Sequence, residues 1–138
     1  MTTLLYLVDT NTAIEAMRGR APELRSRFNR HSASLSTSTV VIHELLFGVA
    51  RSNHPAKVRR QVDWFSELLE VLPFDEAAAE HSADIRARLA EAGTPIGGYD
   101  VLIAGQARSR GLVVVTNNTD EFERVEGLRV EDWTRAQR

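Results

Sequence analysis

Cysteine is absent from this 138-residue chain. That removes thiolate catalysis, cysteine-based zinc sites and disulfides, and it fits a reducing compartment. Lysine is nearly absent as well: Lys57 stands alone among 17 basic residues, the rest being Arg, whose planar fork suits bidentate contact with phosphate or carboxylate. No stretch approaches the roughly 20 apolar residues of a membrane span, and MTTLLYLVDTN lacks the basic region and cleavage site of a signal peptide, so a cytoplasmic location is expected. With a net charge of −2 the chain is not a non-specific nucleic-acid coat. Charge is unevenly spread, however. From Met17 to Arg60 nine basic residues face two acidic ones, and from Gln61 to Asp100 the counts are two and nine.

What is present is an ordinary globular composition, 43% apolar, enough for one core, and a single domain over residues 1–138 is expected. Leu4 to Val8 is a continuous apolar run typical of a strand buried on both faces, and Asp9-Thr10-Asn11 ends it. A helix over 10–18 follows, then a second opened by Ala21-Pro22-Glu23. Ser34 to Ser38 reads as a short strand, after which Thr37 or Ser38 caps a helix running through Val41, Glu44, Leu45 and Gly48. Pro55 breaks the pattern; Val58, Val62, Phe65 and Leu69 form another helical stripe before the strand-like Val71-Leu72-Pro73-Phe74. Asp75 caps an alanine-rich helix over 76–92 that stops at Gly93. Tyr99 to Arg110 is an apolar helix, Leu112 to Val115 a second buried strand, and Leu128 to Trp133 a short edge strand. Strands alternating with helices predict a three-layer α/β/α domain around a mostly parallel sheet.

Four acids occur in separate contexts: Asp9 in LVDTN, Glu44 in VIHELLFG, Asp100 in IGGYDVLIA and Glu121 in VTNNTDEF. Ligands of open parallel sheets bind outside the carboxyl ends of the strands. Asp9 and the turn Thr116-Asn117-Asn118 each follow a predicted strand, and Asp100 opens the helix leading to the second one. Carboxylates a few Å apart repel, and a hard divalent cation is the usual relief at neutral pH. Each residue also has an ordinary alternative: Asp9 as a helix cap, Asp100 as a helix-start residue, Glu44 and Glu121 as solvated charges, Asn117-Asn118 as a turn. Their joint occurrence points to metal-dependent chemistry on phosphates.

Taken together, LVDTN, the IHELLFG helix, PIGGYDVLIAGQARSRG and VVVTNNTDEFERVEGLRVEDW resemble the PIN-domain ribonucleases, and within them the VapC toxins of bacterial toxin–antitoxin pairs, from Leu7 to Trp133. The resemblance implies a Mg²⁺-dependent endoribonuclease, with Mn²⁺ as substitute. Asp9, Asp100 and Glu121 would hold the ion, Glu44 would complete the catalytic set, and Thr10, Asn11, Thr116, Asn117 and Asn118 would support it. It also implies a homodimer silenced by a cognate VapB-type antitoxin in a hetero-oligomer. The TNNTDEFERV ending is similar to the enteric branch, whose members cut initiator tRNA in the anticodon stem-loop. Gly98 departs from the Pro or Ala common in close relatives, which would loosen the loop presenting Asp100, and Asp120 beside Glu121 leaves open which acid faces the metal.

Three other readings compete. A phosphatase using an aspartyl nucleophile would want an acid where Asn11 stands and a pocket lysine. A metal-free ribonuclease would pair histidines, yet His43 adjoins Glu44 on a helix, where neighbours point to different faces. A non-enzymatic module would bind RNA through arginines. For an inhibitory partner, an amphipathic helix inserting an Arg among the carboxylates is expected, against Ile14, Met17, Leu45 and Phe47.

Overall fold

A computed structural model describes residues 3–135. Among these residues five strands form one sheet: β1 (Tyr6–Val8), β2 (Leu35–Ser38), β3 (Glu70–Leu72), β4 (Val113–Val115) and β5 (Val130–Glu131), in the order β3-β2-β1-β4-β5. Every pairing is parallel. Seven α-helices among the described residues cover it: α1 (Thr10–Arg18), α2 (Pro22–His31), α3 (Thr39–Arg51), α4 (Pro55–Leu68), α5 (Glu76–Glu91), α6 (Gly98–Ser109) and α7 (Thr119–Phe122). The expected three-layer α/β/α architecture is therefore present, with a sheet that is wholly parallel.

Local signals set most element ends. Asp9, Ser38 and Asp75 each cap the helix that follows by accepting a backbone N–H, from Thr12, Val40 and Ala78 respectively. Pro55 opens α4 at its first turn rather than merely breaking a pattern, because its missing N–H is unneeded there. Gly111, at φ 67°, makes the left-handed turn from α6 into β4.

Several boundaries move. β1 begins at Tyr6, not Leu4, and Leu5 is exposed. A 3₁₀ turn at Ser32–Ser34 takes the start of the stretch expected to be β2. β3 ends at Leu72 instead of continuing through Pro73 and Phe74. Pro73 cannot donate to a ladder, and the carbonyls of Leu72 and Pro73 both accept from the buried Gln106 amide at 3.1 Å. The short helix α7 is not among the elements expected from the sequence; it turns the chain after β4 and carries Glu121.

The core lies on both faces of β1 and β4, around Leu7, Val8, Phe28, Phe65, Ile103 and Val114. The central β2 is polar yet buried: Ser36 and Thr37 hydroxyls donate to the Tyr6 and Val8 carbonyls at 2.8 Å, which removes the cost of burying them. Gly105 lets α6 lie against α5, since a Cβ there would fall 2.5 Å from Ser82 backbone atoms. Trp133 packs edge-on against Tyr6 at 5.0 Å and lies under the Arg27 guanidinium at 4.3 Å, pinning the chain beyond β5.

Candidate functional site

From β1 the chain crosses to β2 on one side, while β4 pairs on the other, so a switch of direction falls between β1 and β4. The carboxyl ends of these strands diverge there, which is where such sheets leave a crevice. Asp9 immediately follows β1 and Thr116 immediately follows β4.

Asp9 is 2% exposed. Its Oδ1 accepts the Thr12 N–H at 3.0 Å, as a helix cap, while Oδ2 accepts the Thr116 hydroxyl at 2.5 Å. Burial raises its pKa above the ordinary carboxylate value; the hydrogen bonds from Thr116 and Thr12 oppose this, and the charge of Glu44 adds to it. Asp9 is thus both the cap of α1 and part of the wall of the acid pocket.

Asp100, in the first turn of α6, is half-buried. Its carboxyl is pushed up to about 7, first by burial, then by sharing a proton with Glu121 and by repulsion from Glu121, Asp9 and Glu44. Glu121 moves the other way, held low by its bonds to Asp100 and Asn118. Its Oε1 accepts the Gly97 N–H at 3.2 Å and its Oε2 accepts the Asn118 amide. The same amide reaches Asp100 Oδ2 at 3.3 Å, and the Asn118 backbone N–H donates to the Thr116 hydroxyl at 2.9 Å. Thr116 and Asn118 thus tie Asp9, Asp100 and Glu121 into one network. Glu44 joins from α3, accepting the Thr10 hydroxyl at 2.6 Å.

The structure brings together Asp9, Glu44, Asp100 and Glu121, with Thr10, Thr116 and Asn118 among them. Of the two candidate acids in the short helix, Glu121 turns inward, three residues from Asn118 on one helical face; Asp120 is exposed, as is Asn117. Asn11 lines the mouth. A Cβ on Gly98 would meet open space, so the expected loosening concerns backbone freedom and not fit. Gly97 is the tighter position, since a Cβ there would lie 3.1 Å from Asp100 Oδ2.

Two features were not legible in the sequence. Tyr99 is 48% exposed at the rim, its hydroxyl 3.3 Å from His43 Nε2. His43 also borders the same groove as Glu44, despite their adjacent helical positions. Two arginines of the basic segment are engaged away from the site: Arg25 donates to the Ala16 and Met17 carbonyls and stacks on Trp64, while Arg59 pairs with Asp63. Met17 and Leu45, expected as groove walls, do line a cleft with Ile14 beside Glu44, though both are almost wholly buried, and Phe47 is 61% exposed.

All donors in the crevice are oxygens or neutral amides, and among the described residues none of the four acids makes an ion pair within 4.0 Å. Nor, among the described residues, do three such groups already converge as a closed metal shell; the carboxyls are turned onto protein donors. Hard oxygen ligands with uncompensated negative charge suit a divalent cation such as Mg²⁺ or Mn²⁺.

A parallel α/β domain with four carboxyl groups gathered at the switch point of its sheet defines a class built around an acidic cleft. Residues 6–128 match the model of the PIN domain. The chain is 46% identical over 130 residues to the tRNA(fMet)-specific endonuclease VapC of Salmonella typhimurium, covering 94% of this chain and 98% of that one. It is 44% identical to the protein of the same name from Shigella flexneri, covering 95% and 99%. Among solved structures, DNA-bound VapBC from Salmonella typhimurium superposes with a TM-score of 0.91 at 46% identity, over 95% of this chain and 99% of that one. The chain belongs to the PIN-domain family, on its VapC branch.

Proposed function

We propose that this chain, as a single PIN domain, is the toxic endoribonuclease of a type II toxin–antitoxin pair and hydrolyses RNA phosphodiester bonds with Mg²⁺, Mn²⁺ substituting. The observation that carries this reading is the convergence of Asp9, Glu44, Asp100 and Glu121 from four separate segments on one sheet edge, where burial first and the neighbouring acids second raise Asp100 to about 7. Asp9, Asp100 and Glu121 would hold the ion. Bound there, a divalent ion lowers the pKa of water and neutralises the non-bridging phosphate oxygens.

The protein's own groups do the positioning. The Thr116 hydroxyl fixes the rotamer of Asp9, and Thr10 fixes Glu44, which orients the attacking water. Asn118 bridges Asp100 and Glu121 by donating to both. Water, and not the ribose 2′-hydroxyl, attacks phosphorus while the bond to the 3′-oxygen breaks and that oxygen takes up a proton, so the products carry a 5′-phosphate and a 3′-hydroxyl. By likeness to the Salmonella and Shigella relatives, the substrate is initiator tRNA, and the enteric resemblance of the TNNTDEFERV ending puts the cut in its anticodon stem-loop, where unpaired bases are accessible. By likeness to the VapBC complex, a VapB-type antitoxin partners the enzyme; silencing by that partner, a homodimeric assembly and a cytoplasmic location rest on the family resemblance of the sequence. No helix among the described residues is long and apolar enough to cross a membrane.

Incubating the purified protein with total RNA in Mg²⁺, in Mn²⁺ and in EDTA, and mapping the new ends, tests this reading. Metal-dependent cuts with 5′-phosphate ends, concentrated in initiator tRNA, are expected. Cleavage that persists in EDTA, or leaves 2′,3′-cyclic phosphates, overturns it.

A further inference from the structure

Beside the acid pocket runs a groove of about 590 Å³ lined by Thr10, Asn11, Ile14, His43, Phe47 and Tyr99, with Glu44 at the junction. It shares Thr10, Asn11, Glu44 and Tyr99 with the acid pocket, so the two are continuous. Its volume is that of a small-ligand cleft, ~300–1,000 Å³, and takes a nucleotide. Tyr99 immediately precedes Asp100, and its ring is held by His43 through the 3.3 Å hydroxyl contact and a tilted ring contact at 5.7 Å. One helical turn beyond His43 comes the exposed Phe47, and one turn beyond that Arg51, whose guanidinium lies 5.9 Å over the Phe47 ring. Ring, ring and cation thus line up along α3, leading away from the carboxyls.

Resting on the ribonuclease reading, we propose that Tyr99, oriented by His43, is the platform on which an unpaired nucleobase flanking the cut stacks, and so a specificity-determining residue for single-stranded RNA. The electrostatics favour this occupant. Beyond the one phosphate that a bound ion neutralises, the four acids repel the RNA backbone, so the nucleotides flanking the cut must be held mainly by contacts that do not depend on phosphate charge, and a base presents a neutral π-face. The Asn11 side chain at the groove mouth offers a donor and an acceptor for a base edge, and Arg51 at the far end suits the next phosphate.

The test uses the full chain and a stem-loop RNA that it cuts, prepared also with an abasic nucleotide at each position flanking the cut in turn. For Tyr99→Ala, kcat/KM on the intact RNA should fall about 10–100-fold, and for Tyr99→Phe by no more than about threefold, since the ring is kept. One abasic position should cost the wild type as much as Tyr99→Ala does and cost the variant nothing further, the signature of a direct pair. The Mg²⁺-dependent gain in Tm should be the same in Tyr99→Ala and wild type, which a merely structural role would not leave intact. If no abasic position costs the wild type, the proposal is overturned even without a folded variant. It is equally overturned if the abasic cost is undiminished in Tyr99→Ala, including when that variant instead loses antitoxin binding, which would assign the groove to the peptide. A wild type that cuts no RNA fails the ribonuclease reading itself; a wild type that cuts without coupling fails only this one.

Discussion

Replacing Asp100 by Asn should stabilise the metal-free protein while abolishing its activity, and both the size and the pH dependence follow from the pocket. In the unfolded chain Asp100 ionises near 3.8, and in the folded protein near 7. Below about pH 4 both states hold the proton and the site costs nothing. Between about pH 4 and 7 the unfolded chain has lost the proton that the folded protein keeps, so stability falls as pH rises; above about 7 the full cost is present. Carried whole, that displacement would amount to about 4 kcal/mol. Asp100 is half exposed and its partner Glu121 is displaced the opposite way, so solvent screening and coupling reduce the cost to about 1–2 kcal/mol. The amide introduced by Asp100→Asn imitates the protonated carboxyl, with an N–H able to donate to Glu121. In EDTA at about pH 8, Asp100→Asn should therefore melt about 3–8 °C above wild type, with the gain vanishing near pH 4. Saturating Mg²⁺ should reverse the order, because ligand binding to the folded state stabilises only the protein that retains its site. Scanning calorimetry of both proteins across pH, with and without metal, measures this. A gain equal at about pH 4 and pH 8, or a variant less stable than wild type at about pH 8 in EDTA, would refute the reasoning.

Asp9→Asn should lose cleavage yet stay within about 1 kcal/mol of wild type, because the cap to Thr12 survives, whereas Asp9→Ala should also lose about 1–2 kcal/mol in urea melts. Glu121→Gln should impair RNA cleavage and Asp120→Asn should leave it at wild-type rate in the same assay; the reverse would mean that the exposed acid is the functional one. Gly105→Ala should cost about 1–3 kcal/mol or prevent folding, since its methyl group would fall 2.5 Å from rigid Ser82 backbone, and chemical denaturation reads this directly.

The sequence by itself determined what neighbouring residues decide. The buried run ending at Asp9, the caps at Ser38 and Asp75, Pro22 at the start of α2 and Gly93 and Gly111 beyond their helices all act within one turn of the chain, so alternation of strand and helix, and hence a parallel three-layer fold, could be read directly. The four acids could be named for the same reason: each stands at a recognisable end or stripe. Tertiary structure decided which groups meet. Thr116 donates to Asp9 across 107 positions and Thr10 to Glu44 across 34, and no local signal encodes such pairings. It chose Glu121 over Asp120 by the rotation of a four-residue helix that propensity alone does not reveal. It took Arg25 and Arg59 away from the site by giving them partners closer to hand, and left Tyr99, which periodicity assigns to an apolar helix, with half its surface in water. Above all it raised the Asp100 carboxyl to about 7: a pKa depends on burial and on charges a few Å away in space, and those distances exist only once β1, β4, α3 and α6 have packed.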